Sequence, residues 1–203
     1  MSKKDHGEAG NHGNERMPIL NIIGIKVALG PFHPEMVPFM HRWLNDFAVA
    51  ALSGDPIKPR TLEETQMDYL RDCSGERRDY RGFCIYERAN LRLIGITELR
   101  RVSMEDGTAT YSILIGEKDC WNNGYGTETT HLMLDYAFNM LGLHNIMLTT
   151  ASNNERAIHA YTRAGFRLIG RRRETFRQGQ HFYDEVMMDC LSTEFQATMP
   201  SSL

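Results

Sequence analysis

No run of this 203-residue sequence stays apolar for the roughly 18 to 20 residues that a membrane-spanning helix requires, and the N-terminus has no apolar stretch of the secretory kind. Cysteine is scarce as well. Cys73, Cys84, Cys120 and Cys190 are scattered singly, with neither a CxxC pair nor the density of a disulfide scaffold. No Asn-x-Ser/Thr sequon occurs. These absences predict reduced thiols in a soluble, cytoplasmic chain. An excess of one charge is missing too. With 23 Lys and Arg against 26 Asp and Glu, a formal charge of -3, bulk charge predicts neither nucleic acid nor an anionic membrane as a partner.

What is present is ordinary globular material, 41% hydrophobic and 24% charged, in a length that predicts one domain. Residues 1–17 hold only Met1, Ala9 and Met17 as apolar residues, too few to offset the entropy of ordering, so a disordered tail is expected there. The domain is expected over 18–195, with a short C-terminal tail over 196–203. His6 and His12 lack supporting ligands, as do His131 and Asp135, so no metal is predicted.

Apolar spacing predicts a short extended pair, Ile19 to Ile22 and Ile25 to Leu29, and then a helix from Pro34 to Asn45. Thr61-Leu62-Glu63-Glu64 reads as a capping box and starts a helix over about 62–73. Three strands follow, Phe83 to Tyr86, Leu93 to Leu99 and Thr108 to Ile115, with Asp106-Gly107 as a turn signal, so an antiparallel meander is expected. Next come a glycine loop, a helix from about Thr127 to Leu141, a strand from Ile146 to Thr150 and a helix from Asn154 to Ala164. Strands Arg167 to Phe176 and Phe182 to Leu191 finish the domain. The class is α/β (α+β), a mixed sheet covered by helices.

Two features carry chemistry. A strand running through Asn122-Asn123-Gly124-Tyr125-Gly126 into a helix aims free backbone N–H groups and the positive helix end at one point, which suits a phosphate. Neither GxxxxGK[ST] nor GxGxxG is present, since Thr129 stands where a third glycine would be. A plain turn is the alternative. Asn154 and Tyr161, seven residues apart on one helix, lie within about 20° of each other on a largely apolar face. Both need polar partners, whether from a ligand or, more blandly, from a helix cap and a wetted hydroxyl.

Ile115-Gly116 through Trp121-Asn122-Asn123-Gly124-Tyr125-Gly126-Thr127-Glu128, followed by Asn154-Glu155-Arg156-Ala157-Ile158 and by Tyr161 ahead of Gly165-Phe166, resembles the acetyl-CoA core of the GNAT N-acetyltransferase superfamily. The wording around Trp121 and the ending Phe182-Tyr183-Asp184-Glu185 to Leu191 resemble its Rim-type, ribosomal-protein-alanine branch, which also holds drug and polyamine acetyltransferases. Trp121 departs from the Gln or Arg that many members carry at that position. The resemblance covers roughly residues 19–195 and implies the GNAT fold, in which a splayed parallel strand pair holds acetyl-CoA as co-substrate. It implies backbone contacts from Ile113, Leu114 and Ile115 to the pantetheine arm. Asn122, Asn123, Gly124, Tyr125, Gly126 and Thr127 would wrap the pyrophosphate, Asn154 would hold pantetheine, and Tyr161 would be the general acid.

The implied reaction is direct attack of an amine on the thioester, with an oxyanion donor near Leu114. No base is fixed by the motif. Glu98 is the candidate, and Asp184 and Glu185 are expected to bind the acceptor, because His181 to Glu194 and residues 61–79 are rich in carboxylates that would welcome a cationic amine. Arg171-Arg172-Arg173 reads as solvated surface. The expected function is acetyl transfer to a small cationic amine, an aminoglycoside-type antibiotic or a polyamine. The alternatives are a protein N-terminal acetyltransferase and a non-catalytic acyl-CoA-binding module. Whether the chain forms a homodimer is left open.

Overall fold

The computed structural model describes residues 17–53 and 57–196. Nearly all of both expected tails, with His6 and His12, lies outside the described residues.

The chain opens with β1 (Ile22–Ile23) and β2 (Val27–Pro31), a few residues later than the sequence spacing predicts. A single 3-10 turn, Pro34–Met36, leads into α1 (Val37–Asn45). A further helix, α2 (Phe47–Ser53), follows at once. It was not expected, although Asp46 signals it by accepting from the Ala48 N–H at 3.1 Å. α3 (Leu62–Cys73) starts on the capping box: Thr61 Oγ1 accepts from Glu64 N–H and Glu64 Oε2 accepts from Thr61 N–H, each at 3.1 Å.

The meander is β3 (Arg81–Glu87), β4 (Leu93–Ser103) and β5 (Thr108–Ile115), with Gly107 at φ 67° in the turn. α4 (Tyr125–Asp135) continues into one wide turn, Tyr136–Met140, closed by Leu141 N–H to Tyr136 O at 3.1 Å. Gly142 then stops it in the left-handed region. β6 (Asn145–Ala151), α5 (Glu155–Ala164), β7 (Arg167–Gln178) and β8 (His181–Leu191) complete the domain.

The eight strands form one sheet in the order β1-β2-β3-β4-β5-β6-β8-β7. Every neighbouring pair is antiparallel except β5 and β6, which run parallel for three residue pairs only, Thr108–Asn145, Ala109–Ile146 and Thr110–Met147. Beyond them β5 stays on β4 and β6 stays on β8, so the two strands part. This mixed and mostly antiparallel sheet with flanking helices is the architecture that the family resemblance implies. Because side chains alternate across a strand, the sheet buries two cores. Ile85, Ile94, Leu148 and Phe166 pack with Met133 on one face; Cys84, Tyr86, Ile96 and Leu114 pack with Met36 and Trp43 on the other. Among the described residues no helix is long and apolar enough to cross a membrane.

Candidate active site

The parting of β5 from β6 opens a cleft of about 320 Å³, at the lower end of the usual range for small-molecule sites. Its walls are the end of β5, the first turn of α4 and one face of α5. Ile113, Leu114, Ile115, Asn122, Gly124, Tyr125, Gly126, Thr127, Asn154 and Tyr161 all line it. Ten residues singled out in sequence thus meet at one place.

Local chemistry explains the loop. Asn122 at φ 63° and Gly124 at φ 83° turn the chain through left-handed conformations, so the helix begins at Tyr125 with its first turn lining the cleft. No side chain caps α4, whereas Thr61 caps α3 and Asn154 caps α5. The N–H groups of its first turn are therefore free for an anion. A Cβ added at Gly126 would meet nothing within 4 Å, so that residue leaves open space beside those donors. Asn123 does not line the cleft. It fastens the loop, donating Nδ2–H to Asp119 O at 3.1 Å and accepting from Lys26 Nζ at 3.0 Å through its carbonyl. Glu128 ties the same loop to the β1–β2 turn by accepting from Lys26 N–H at 2.9 Å.

On α5, Asn154 does what the bland reading expected and also lines the cleft: its Oδ1 accepts from Ala157 N–H at 3.3 Å. Tyr161 is buried, edge-on to Tyr111 at 6.2 Å and to Phe166 at 6.0 Å. Burial pushes its phenol up to about 12, with no hydrogen bond contributing. The shift has a measurable consequence. A group whose pKa is raised in the folded state stays protonated until pH climbs through the raised value, so Tyr161 remains a proton donor from neutrality to about pH 11. An alkaline limb in the kcat profile below pH 10 should therefore survive in Tyr161→Phe; its disappearance in that variant would assign the limb to Tyr161 and contradict the burial argument.

One further cleft feature escaped sequence reasoning. The Arg156 guanidinium stacks on Trp121 with its carbon 3.9 Å from the ring centroid, and the indole N–H donates to Ile115 O at 2.8 Å. Cys120 also lines the cleft. Desolvation raises its thiol pKa, so a covalent acyl-enzyme through it is disfavoured.

Glu98 sits in a second cavity of about 330 Å³ between the sheet and helices α1 and α3. It is 3% exposed, accepts from Tyr80 Oη–H at 2.6 Å and from Arg100 Nε–H at 2.6 Å. Ile113 and Leu114 line this cavity as well as the cleft. The carboxylates of residues 61–79 that reach the cavity are held by arginines. Asp68 takes Arg60 and Arg71, each at 2.9 Å, and Asp72 takes Arg77 at 2.7 Å. Asp184 and Glu185 line neither cavity. They stand on β8 beside the edge strand β7, where Asp184 accepts from Glu174 N–H at 3.1 Å and Glu185 lies 3.9 Å from Arg172. The strand geometry has given them local partners on β7.

Comparison with known proteins matches residues 26–167 to the Acetyltransferase (GNAT) domain. A spermidine N(1)-acetyltransferase of Vibrio cholerae is 30% identical over 134 residues, 66% of this chain and 73% of that protein. The human alpha/beta-tubulin-N-acetyltransferase 9 is 27% identical over 161 residues, 73% of this chain and 75% of that protein. Among solved structures, the Vibrio cholerae spermidine N-acetyltransferase in complex with CoA and spermine superposes with a TM-score of 0.75 at 23% identity, covering 83% of this chain and 97% of that one. With the domain matched over most of the sequence, the chain belongs to the GNAT family of N-acetyltransferases.

Proposed function

We propose that the protein transfers the acetyl group of acetyl-CoA to the primary amine of a small cationic molecule, with a polyamine as the acceptor class. The observation that carries this reading is the meeting of two cavities at one strand segment. Ile113 and Leu114 form a wall of the cleft that contains Tyr161 and a wall of the cavity that contains Glu98. A thioester laid along β5 in the first would present its carbonyl carbon to an amine held in the second.

In this reading the uncapped start of α4, Asn122 to Thr127, takes the diphosphate, while the backbone of Ile113 to Ile115 and the side chain of Asn154 hold the pantetheine arm. The neutral amine nitrogen attacks the carbonyl carbon and the C–S bond breaks. The departing thiolate takes the phenolic proton of Tyr161, and the surplus proton on nitrogen leaves through Glu98 or water. Holding both reactants across one strand supplies most of the advantage, since the attack becomes effectively intramolecular.

The polyamine class is supported by the Vibrio cholerae relatives, whose names give spermidine as substrate and, in one solved complex, spermine as ligand. Asp68, Asp72 and Glu98 are the carboxylates of the acceptor cavity. Because Arg60, Arg71 and Arg77 already hold the first two, a polyamine must displace guanidinium groups, and its KM should rise with ionic strength. A second reading, acetylation of a protein amine as in the Rim-type branch, is favoured by the human tubulin acetyltransferase match and by the apolar wall of Phe32, Met36 and Met40, which suits a peptide side chain. Steady-state assays with acetyl-CoA and a panel of spermidine, an aminoglycoside and N-terminal peptides separate them. The polyamine should show the highest kcat/KM; preference for a peptide would move the function to protein modification.

A further inference from the structure

The helix α2 supplies Leu52 to the wall of the cleft, beside Ile113, Leu114 and Asn154. Val49 stands one turn earlier, at i, i+3 from Leu52, and is buried in the same cluster as Leu114 and Trp43. The flank of α2 that carries Leu52 therefore lies against the segment of β5 that both cavities share. In the reading above that segment is where thioester and amine meet. A branched apolar side chain placed there bounds the space beyond the acyl carbonyl.

With seven residues α2 is too short to keep a helical conformation unaided, so its position depends on its anchors. One of them comes from the far edge of the sheet. In the last turn of α2, where carbonyls have no partner inside the helix, Ala51 O accepts from Gln178 Nε2–H at 3.2 Å. The other end of the same amide, Gln178 Oε1, accepts from Asn153 Nδ2–H at 2.8 Å. A single side chain thus ties α2 to the residue next to Asn154, which caps α5 and lines the cleft. The frame from which Gln178 reaches is itself fixed. Gln178 pairs with His181 across the tip of the β7–β8 hairpin, with Gly179 at φ 61° in the turn. Below the tip, Ser152 N–H donates to Asp184 O at 2.8 Å and Asp184 N–H donates to Ser152 Oγ at 3.1 Å, which locks the hairpin to the end of β6.

We propose that Leu52 closes the acyl end of the cleft and sets a preference for acetyl over longer acyl groups, and that Gln178 is the positioning residue that holds α2, and with it Leu52, in place. The inference rests on an acyl-CoA thioester occupying the cleft. It does not depend on which amine is the acceptor. One or two extra methylenes in a bounded apolar space are discriminated by about tenfold or more, so acyl length is a direct gauge of where Leu52 stands.

The test is calorimetric titration of the full chain with CoA, acetyl-CoA and butyryl-CoA, for the wild type, Leu52→Ala, Gln178→Ala and Gln178→Glu. The wild type should bind butyryl-CoA about tenfold or more weakly than acetyl-CoA. Leu52→Ala removes the stop and should bring the two thioesters to within about twofold, with the affinity for CoA unchanged. Gln178→Ala lies outside the cleft and should shift the butyryl-to-acetyl ratio in the same direction by about threefold or more. Gln178→Glu still accepts from Asn153 but has no amide N–H for Ala51 O, so it should match Gln178→Ala; a wild-type ratio in this variant overturns the positioning role of the Ala51 contact. A general loss of structure weakens all three ligands alike, so equal weakening overturns the proposal, as do equal affinities for the two thioesters in the wild type or a ratio that ignores Leu52→Ala. Wild-type protein that binds neither CoA nor acetyl-CoA overturns the co-substrate reading as well.

Discussion

Replacing Tyr161 with phenylalanine is expected to lower kcat by about 10²- to 10⁴-fold, the range for a lost general acid, while the KM for acetyl-CoA stays near its wild-type value. The ring remains, so the edge contacts with Tyr111 and Phe166 that hold this part of α5 against the core remain with it. The hydroxyl that is removed has no hydrogen-bond partner among the described residues, so its loss leaves no orphaned donor or acceptor behind. Stability should be unchanged or slightly raised. Thiol release measured beside a thermal melt checks both halves, and turnover equal to wild type would remove Tyr161 from the acid role.

The second large effect is on stability. Gly116 follows β5 and lies against the buried Trp43 ring, where an added Cβ would stand 2.0 Å from Cδ2. The indole cannot retreat freely, because its N–H donates to Glu117 Oε1 at 2.8 Å and that carboxylate is also paired with Arg42. Gly116 itself donates to Ile94 O at 2.9 Å, which fixes the backbone on the other side. Gly116→Ala should therefore cost about 3 kcal/mol, the upper end for overpacking, and lower Tm by roughly 6 to 12 °C for a chain of this size. Shortening the opposing side chain in Gly116→Ala/Trp43→Leu should recover part of the loss relative to the sum of the single changes, because the two residues are in contact. Strict additivity would mean that the clash is relieved elsewhere. Because Ile115 lines the cleft, acetyl-CoA affinity should fall with stability in the single variant.

Much of this arrangement was legible in the sequence where one local rule decides the outcome. Thr61 to Glu64 is a capping box in sequence and in space, and the helix it starts spans Leu62–Cys73 as expected. Gly124, Asn154 and Gly142 punctuate helices where their conformations or side chains require. The cleft followed from the family resemblance and not from spacing alone, which left a plain turn and a helix cap open; the structure places the glycine loop and one face of α5 where the parallel pair separates.

The sequence was least legible where a tertiary partner decides. Carboxylate density over 61–79 and 181–194 reads as one acidic acceptor site; Asp68 and Asp72 line the cavity beside Glu98 but are paired with arginines, whereas Asp184 and Glu185 line neither cavity and find partners on β7. Counting Arg60, Arg71 and Arg77 beside the acids would have shown that Asp68 and Asp72 are paired. The stacking of Arg156 on Trp121 had no such signal, since it joins residues 35 positions apart across the cleft. Leu52 of α2 also reaches the cleft from a helix that propensity alone did not reveal.

The central claim is that one acetyl group passes from a thioester in the cleft to an amine in the neighbouring cavity without stopping on the protein. It is tested most directly by incubating the enzyme with acetyl-CoA and spermidine while recording free thiol, the mass of the acceptor and the intact mass of the protein over the same time course. The account predicts one N-acetylated amine for each thiol released and no acetylated enzyme during turnover. Thiol release without acetylated amine, or an acetyl group that accumulates on the protein before it reaches spermidine, would contradict it.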